Sequence, residues 1–382
     1  MGEQRAGQYG SGGPGNAQSP DDSTGHPEPA AEPLRLINWE LALKGIRRIT
    51  PAGPVIDRAQ ADEVVADLHS ASQRAYDPVA RTSGLHAPTG PETALVVDRP
   101  TWARINIDSF AALIDPVVDA AVRSAGRPEP GLLARHLAGA TTAGELTVLM
   151  SFLATKILGQ YDLAYSSTNA PRLLLVAPNI VQVERELDLD PHDFRLWVCL
   201  HEETHRVQFT AVPWLREHMI GQTRRIAADL MPRSDQVLHR LTLVAKNAGA
   251  ALRPGGAGLA ELFLDEGQRA DIARLSAVMA LLEGHADVVM DEVGPHVVPT
   301  VDLIRRRFES RRHEVTGLAA LFRRALGLEA KMAQYRDGAA FVREVTAAVG
   351  LDGFNAVWDS PQTLPDAQEI QDPAAWIARV HG

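Results

Sequence analysis

Ala61, Val64, Val65, Leu68, Ala71 and Ala75 recur at intervals of three and four residues, which marks one apolar face of an α-helix. A helical pattern already begins at Leu34 and is interrupted by the turn at Pro51–Pro54. Leu95–Asp98 reads as a short strand, and Pro100–Trp102 opens a helix that runs through Phe110. Leu146–Leu158 is a compact apolar helix. Arg172–Pro178, an aliphatic run between Pro171 and Pro178, is the best strand in the chain. Gln160, Tyr161, Asp162 and Asn179 fall in loops around that strand and are candidates for lining a cleft. From Asp190 to Gly350 almost everything reads as helix. The C-terminal stretch, with Pro361, Pro365 and Pro373, is irregular around a short helix at Trp376. The pattern predicts a mainly α fold with a minor β element.

The first 33 residues contain no Val, Ile, Leu, Phe or Trp. Such a segment cannot bury enough apolar area to offset its ordering entropy, so residues 1–33 are predicted to be a disordered tail and residues 34–382 one domain. The tail has neither the basic nor the apolar region of a secretory signal, which points to the cytoplasm. No apolar run approaches the ~18 residues that span a bilayer. Across 382 residues, 48 acidic and 38 basic side chains give a net charge of −10, which disfavours general nucleic-acid binding. A single cysteine, Cys199, excludes an internal disulfide framework and an all-cysteine metal site. Thirteen histidines remain available.

Two of them form H-E-x-x-H at His201–His205. On a helix, positions i and i+4 share a face, so both imidazoles can converge on one ion. Glu202 projects about 100° further round, where it can hold a water for that ion. Phe194, Trp197, Val198 and His201 keep helical spacing, and Pro191 suits a first turn. A catalytic zinc takes three protein ligands and leaves a position for water. The third is expected on a core helix carrying Leu275, Val278, Met279, Leu282 and Val289. There Glu283 and Asp287 stand one turn apart, a like-charge pair that calls for a compensating cation. Glu283 as ligand, with Asp287 accepting the free N–H of a ligand histidine, supplies it. His285 is the rival ligand and otherwise a neighbour of the site. Gly284, at a cost of roughly 1 kcal/mol in mid-helix, is tolerable where another helix approaches closely.

The two motifs, H-E-E-T-H and E-G-H-A-D, resemble those of the gluzincin class of zinc metallopeptidases. That resemblance implies a zincin-like helical metalloprotease core, Zn²⁺ on His201, His205 and Glu283, water activation by Glu202, and an orienting role for Asp287. The chain more closely resembles a group of actinobacterial zincin-like proteins, labelled as hydrolases or as associated with deazaflavin-coenzyme biosynthesis. The matching landmarks are Val97–Trp102, Gly159–Asp162, Val176–Asn179, the H-E-x-x-H helix, Glu283–Asp287 and Lys331–Tyr335. Glu203 departs from the class, where many peptidases carry an apolar residue.

The expected function is zinc-dependent hydrolysis of a peptide or amide bond, without nucleic-acid or integral membrane partners. The alternative is an inactive zincin-like scaffold that binds or regulates. A di-iron carboxylate protein needs two Glu-x-x-His motifs, and Glu202–His205 is the only one. His285, His296, Arg206 and Tyr335 are unranked candidates to stabilise an oxyanion. Arg305–Arg307 with Arg311 and Arg312 reads as a solvated basic helix face, and Cys199 as a packed thiol.

Overall fold

The computed structural model describes residues 37–125, 132–163, 170–230, 265–313 and 328–382. The predicted tail therefore lies outside the described residues, as do the side chains of Lys331–Tyr335. Three strands, β1 (Leu95–Val97), β2 (Gly159–Asp162) and β3 (Arg172–Val176), form a sheet in the order β1-β3-β2. β1 runs parallel to β3, with Leu95 opposite Leu174; β2 runs antiparallel, with Gly159 opposite Leu175. Successive strand side chains face opposite ways. Accordingly, Leu173 and Leu175 join one apolar cluster while Leu174 and Val176 join another.

The cluster around Leu174 and Val176 is built by α1 (Trp39–Ile49), α3 (Arg99–Ala125) and α4 (Leu132–Ala154). On the other face lie α2 (Arg58–Ser83), α5 (Ala177–Glu186) and α6 (Pro191–Ala211). Beyond them come α7 (Leu215–Leu230), α8 (Glu266–Val293), α9 (Val301–His313), α10 (Leu328–Asn355) and α11 (Pro373–His381). Helix α2 carries the predicted apolar face on Val64, Leu68, Ala71 and Ala75. It starts at a reciprocal Asp57–Gln60 cap and ends at Gly84 in the left-handed conformation. The fold is mainly α with a small sheet, as the apolar pattern predicts.

Two readings are corrected. Gln160, Tyr161 and Asp162 form a strand paired with β3, and the polar side chains of Gln160 and Asp162 find partners on α3. Gln160 accepts from the Trp102 indole at 2.7 Å and donates to Asn106 at 2.9 Å, and Ser109 donates to Asp162 at 3.0 Å. Asn179 belongs to α5, whose first turn accommodates Pro178 without losing a hydrogen bond. It is buried, accepts from Arg99 Nε at 2.6 Å and donates to the carbonyls of Ala154 and Ile157, so it ties α3, α4 and α5 together.

Helix α8 passes between two cores. Ala277, Val278, Leu281 and Leu282 pack with Phe341, Val345, Phe354 and Trp376, whereas Val289, Met290 and Val293 join the cluster beneath the sheet. Gly284 lies at the changeover. A Cβ there would stand 2.2 Å from the carbonyl carbon of Gly338 in α10, so the helices touch backbone to backbone as the mid-helix glycine suggested. No helix among the described residues is long and apolar enough to cross a membrane.

Candidate metal centre

Helix α6 begins where the Asp190 side chain accepts from the Asp193 N–H at 3.0 Å and Pro191 fills the first turn. Its i, i+4 spacing brings the His201 and His205 rings to 4.8 Å, edge to face, with their Nε2 atoms 3.2 Å apart. Glu283 arrives from α8 and closes the triangle. One of its oxygens is 3.6 Å from His201 Nε2 and the other 3.6 Å from His205 Nε2. Among the described residues these three form the one group whose ligand atoms all lie within 4.8 Å of one another.

The spacing of these donors is close to what a zinc site requires. Ligand bonds of about 2.0–2.1 Å at tetrahedral angles place neighbouring donor atoms about 3.3 Å apart. The two nitrogens, 3.2 Å apart, match that, and each lies 3.6 Å from one of the two carboxylate oxygens, so a shift of Glu283 would bring a single oxygen into place. Two imidazoles and a carboxylate are a catalytic donor set, and three protein ligands leave a fourth position open.

Glu202 is buried beside the triangle. Burial, and then the Glu283 carboxylate, push its carboxyl well above the usual carboxylate range. The edge strand presses directly on it: a Cβ on Gly159 would come 2.5 Å from Glu202 Cγ. Only glycine leaves this carboxyl its place.

The hydrogen bonds around His205 lead to a second layer of buried side chains. His205 Nδ1 lies 2.9 Å from Oε1 of Gln208, a residue one turn further along α6. Gln208 Nε2 in turn donates to the Leu282 carbonyl and to His285 Nδ1, both at 3.0 Å. His285 is thus outside the metal triangle and reaches His205 through Gln208. It is enclosed by Phe354 and Trp358, with ring centroids at 5.4 Å, and burial, then His205, push its pKa down to about 3. His201 Nδ1 lies 3.3 Å from the Met290 sulfur. Asp287 is half-buried one turn beyond Glu283.

Glu203 and Arg206 are both fully buried on another face of α6. Arg206 donates to Glu203 through Nε and, at 2.6 Å, through a terminal nitrogen that also reaches the Gly90 carbonyl at 2.7 Å. Its guanidinium lies 5.5 Å over the Tyr76 ring. The unusual charge of Glu203 is therefore balanced, and Arg206 is engaged in structure rather than aimed at a substrate. Of the other oxyanion candidates, His296 is exposed in the turn after α8 and the Tyr335 side chain lies outside the described residues. Arg305 pairs with Asp291, and Arg307 reaches the Leu187 and Asp188 carbonyls. Arg311 and Arg312 have side chains outside the described residues. Cys199 is buried, as expected of a packed thiol.

Gln208 and Met290 were not singled out from the sequence, and Gly159 only as the start of the Gly159–Asp162 landmark. Gln208 carried a signal, the i, i+3 relation to His205; Gly159 and Met290 are brought to the site by tertiary packing alone.

The model of a family described as zincin-like metallopeptidase matches residues 37–377. A crystal structure from Chloroflexus aurantiacus, described as a "putative hydrolase with a novel fold", superposes with a TM-score of 0.62 at 31% identity. The match covers 90% of this chain and 99% of that one. A search of the curated proteins returned no match. Neither match carries the actinobacterial or deazaflavin part of the resemblance.

Proposed function

The chain belongs to the zincin-like metallopeptidase family, and from that premise we propose that it hydrolyses a peptide or amide bond using Zn²⁺ held by His201, His205 and Glu283. The observation that carries this reading is the convergence of two imidazole nitrogens, 3.2 Å apart, on one carboxylate, each within 3.6 Å of a different Glu283 oxygen, beside a buried glutamate. Zinc bound there supplies Lewis-acid polarisation of the scissile carbonyl and lowers the pKa of water from 15.7 toward ~7.

The protein's own part is proton transfer and positioning. Glu202 takes a proton from the attacking water and returns it to the leaving amine. A carboxylate whose environment favours the protonated form is a good base when ionised and a ready acid afterwards. Among the described residues β2 pairs only with β3, and in this reading an extended substrate backbone would pair along its other side. That side begins at Gly159, against Glu202, which suits a peptide better than a compact substrate.

Elemental analysis of protein purified without chelators tests the centre. Wild type should carry one zinc, and His201→Ala, His205→Ala and Glu283→Ala should lose it. His285→Ala should retain it more fully than Glu283→Ala. Glu202→Gln should keep zinc and lose hydrolysis of a peptide library by roughly 10²–10⁴-fold. A wild type that cannot bind zinc overturns the proposal. Zinc binding without turnover of any peptide favours the inactive scaffold.

A further inference from the structure

We propose that Gln208 is the positioning residue that fixes His205 as the Nδ1–H tautomer and so turns its Nε2 lone pair toward His201 and Glu283. The inference rests on the metal centre proposed above, and it follows from hydrogen-bond polarity. The Leu282 carbonyl can only accept, and the Gln208 amide nitrogen donates to it at 3.0 Å. That contact fixes the amide orientation. Oε1 must then face His205 Nδ1, 2.9 Å away, and an amide oxygen can only accept. The hydrogen between them therefore belongs to His205 Nδ1, and Nε2 is left with its lone pair.

The second amide hydrogen goes to His285 Nδ1 at 3.0 Å, which makes His285 an acceptor there and places its own hydrogen on Nε2. Gln208 has no solvent exposure and His285 is 2% exposed, so water does not compete for these groups. One side chain thus orients a ligand on α6 while bonding the backbone of α8 next to Glu283. It joins the two ligand-bearing helices through one amide.

Nitrogen-15 NMR of the histidine-labelled full chain, stripped of metal, reads the tautomer directly. His205 should show a protonated Nδ1 and an unprotonated Nε2 at neutral pH; the reverse tautomer in wild type overturns the proposal. In Gln208→Met, which keeps length but removes the acceptor, the His205 signals should shift to a tautomer mixture. Zinc affinity, measured by competition with a chromogenic chelator, should fall about 10–100-fold. Gln208→Glu keeps the acceptor and loses the donors, so it should preserve the Nδ1–H tautomer and rescue zinc affinity relative to Met, despite lower thermal stability. Wild-type zinc affinity in a folded Gln208→Met variant overturns the proposal, as does equal loss in both variants. The tautomer of the metal-free wild type is readable even if zinc never binds, so failure of the relay is distinguishable from failure of the metal centre.

Discussion

Glu202 and Glu203 are consecutive residues on α6, both buried, and they occupy opposite chemical settings. Glu203 faces a dedicated cation: Arg206 binds it through two nitrogens and ties the same guanidinium to the Gly90 carbonyl. Glu202 faces another carboxylate, Glu283, and a glycine that leaves it no spare room. Burial pushes both carboxyls up, but Arg206 opposes the push at Glu203 while Glu283 adds to it at Glu202. A buried carboxylate with its own arginine belongs to the frame. One placed against like charge is costly unless a cation arrives, and a nearby ligand triangle is where that cation would come.

The comparison breaks most readily at Arg206. Arg206→Met leaves Glu203 buried without its partner and should destabilise the protein by about 3–5 kcal/mol in denaturant titrations. Replacing both members, Glu203→Leu with Arg206→Met, should recover much of that loss while zinc binding is kept. Recovery without zinc binding would show that the pair serves the metal face as well. A smaller effect is expected across the strand. Gly159→Ala drives a methyl into the Glu202 side chain, and overpacking of this kind costs about 1–3 kcal/mol. In a Glu202→Ala background the same change should cost little, because the clashing atoms are gone. Equal costs in the two backgrounds would place the strain elsewhere.

The candidate metal site was largely legible in sequence because most of it is local. His201, Glu202 and His205 are fixed by one helix, and Glu283 stood out because a like-charge pair at helical spacing asks for a cation. Gly284 also announced itself, since a mid-helix glycine implies close approach, and Gly338 is what approaches. What could not be read is set by partners distant in sequence. Glu203 looked like a departure until Arg206 was seen to pair with it, held in place by the distant Gly90 carbonyl and Tyr76 ring. Gln160–Asp162 was read as a loop because it carries polar side chains, whose partners lie on α3, more than fifty residues away. Gln208 was overlooked although it sits on the motif helix, because its role depends on the Leu282 carbonyl, which no pattern of side chains reveals.

The sharpest form of the comparison is a difference in how two neutral substitutions respond to pH. In the metal-free protein Glu202 is held well above the usual carboxylate range, by burial and then by Glu283. The unfolded chain ionises this group near pH ~4.3, whereas the folded chain still retains the proton. The folded state thus binds more protons above that pH, so the Glu202 contribution to stability is present at low pH and is lost as pH rises toward the folded pKa. Glu202→Gln has no such loss. It should match wild type near pH 4 and become progressively more stable than wild type toward neutrality. Glu203→Gln should be less stable than wild type at neutral pH, since it leaves Arg206 buried with a neutral partner. Chemical unfolding of chelator-treated protein at a series of pH values checks both. A Glu202→Gln variant less stable than wild type at pH 7 would mean that Glu202 has a stabilising cationic partner in the metal-free fold, and the contrast between the neighbouring glutamates would fail.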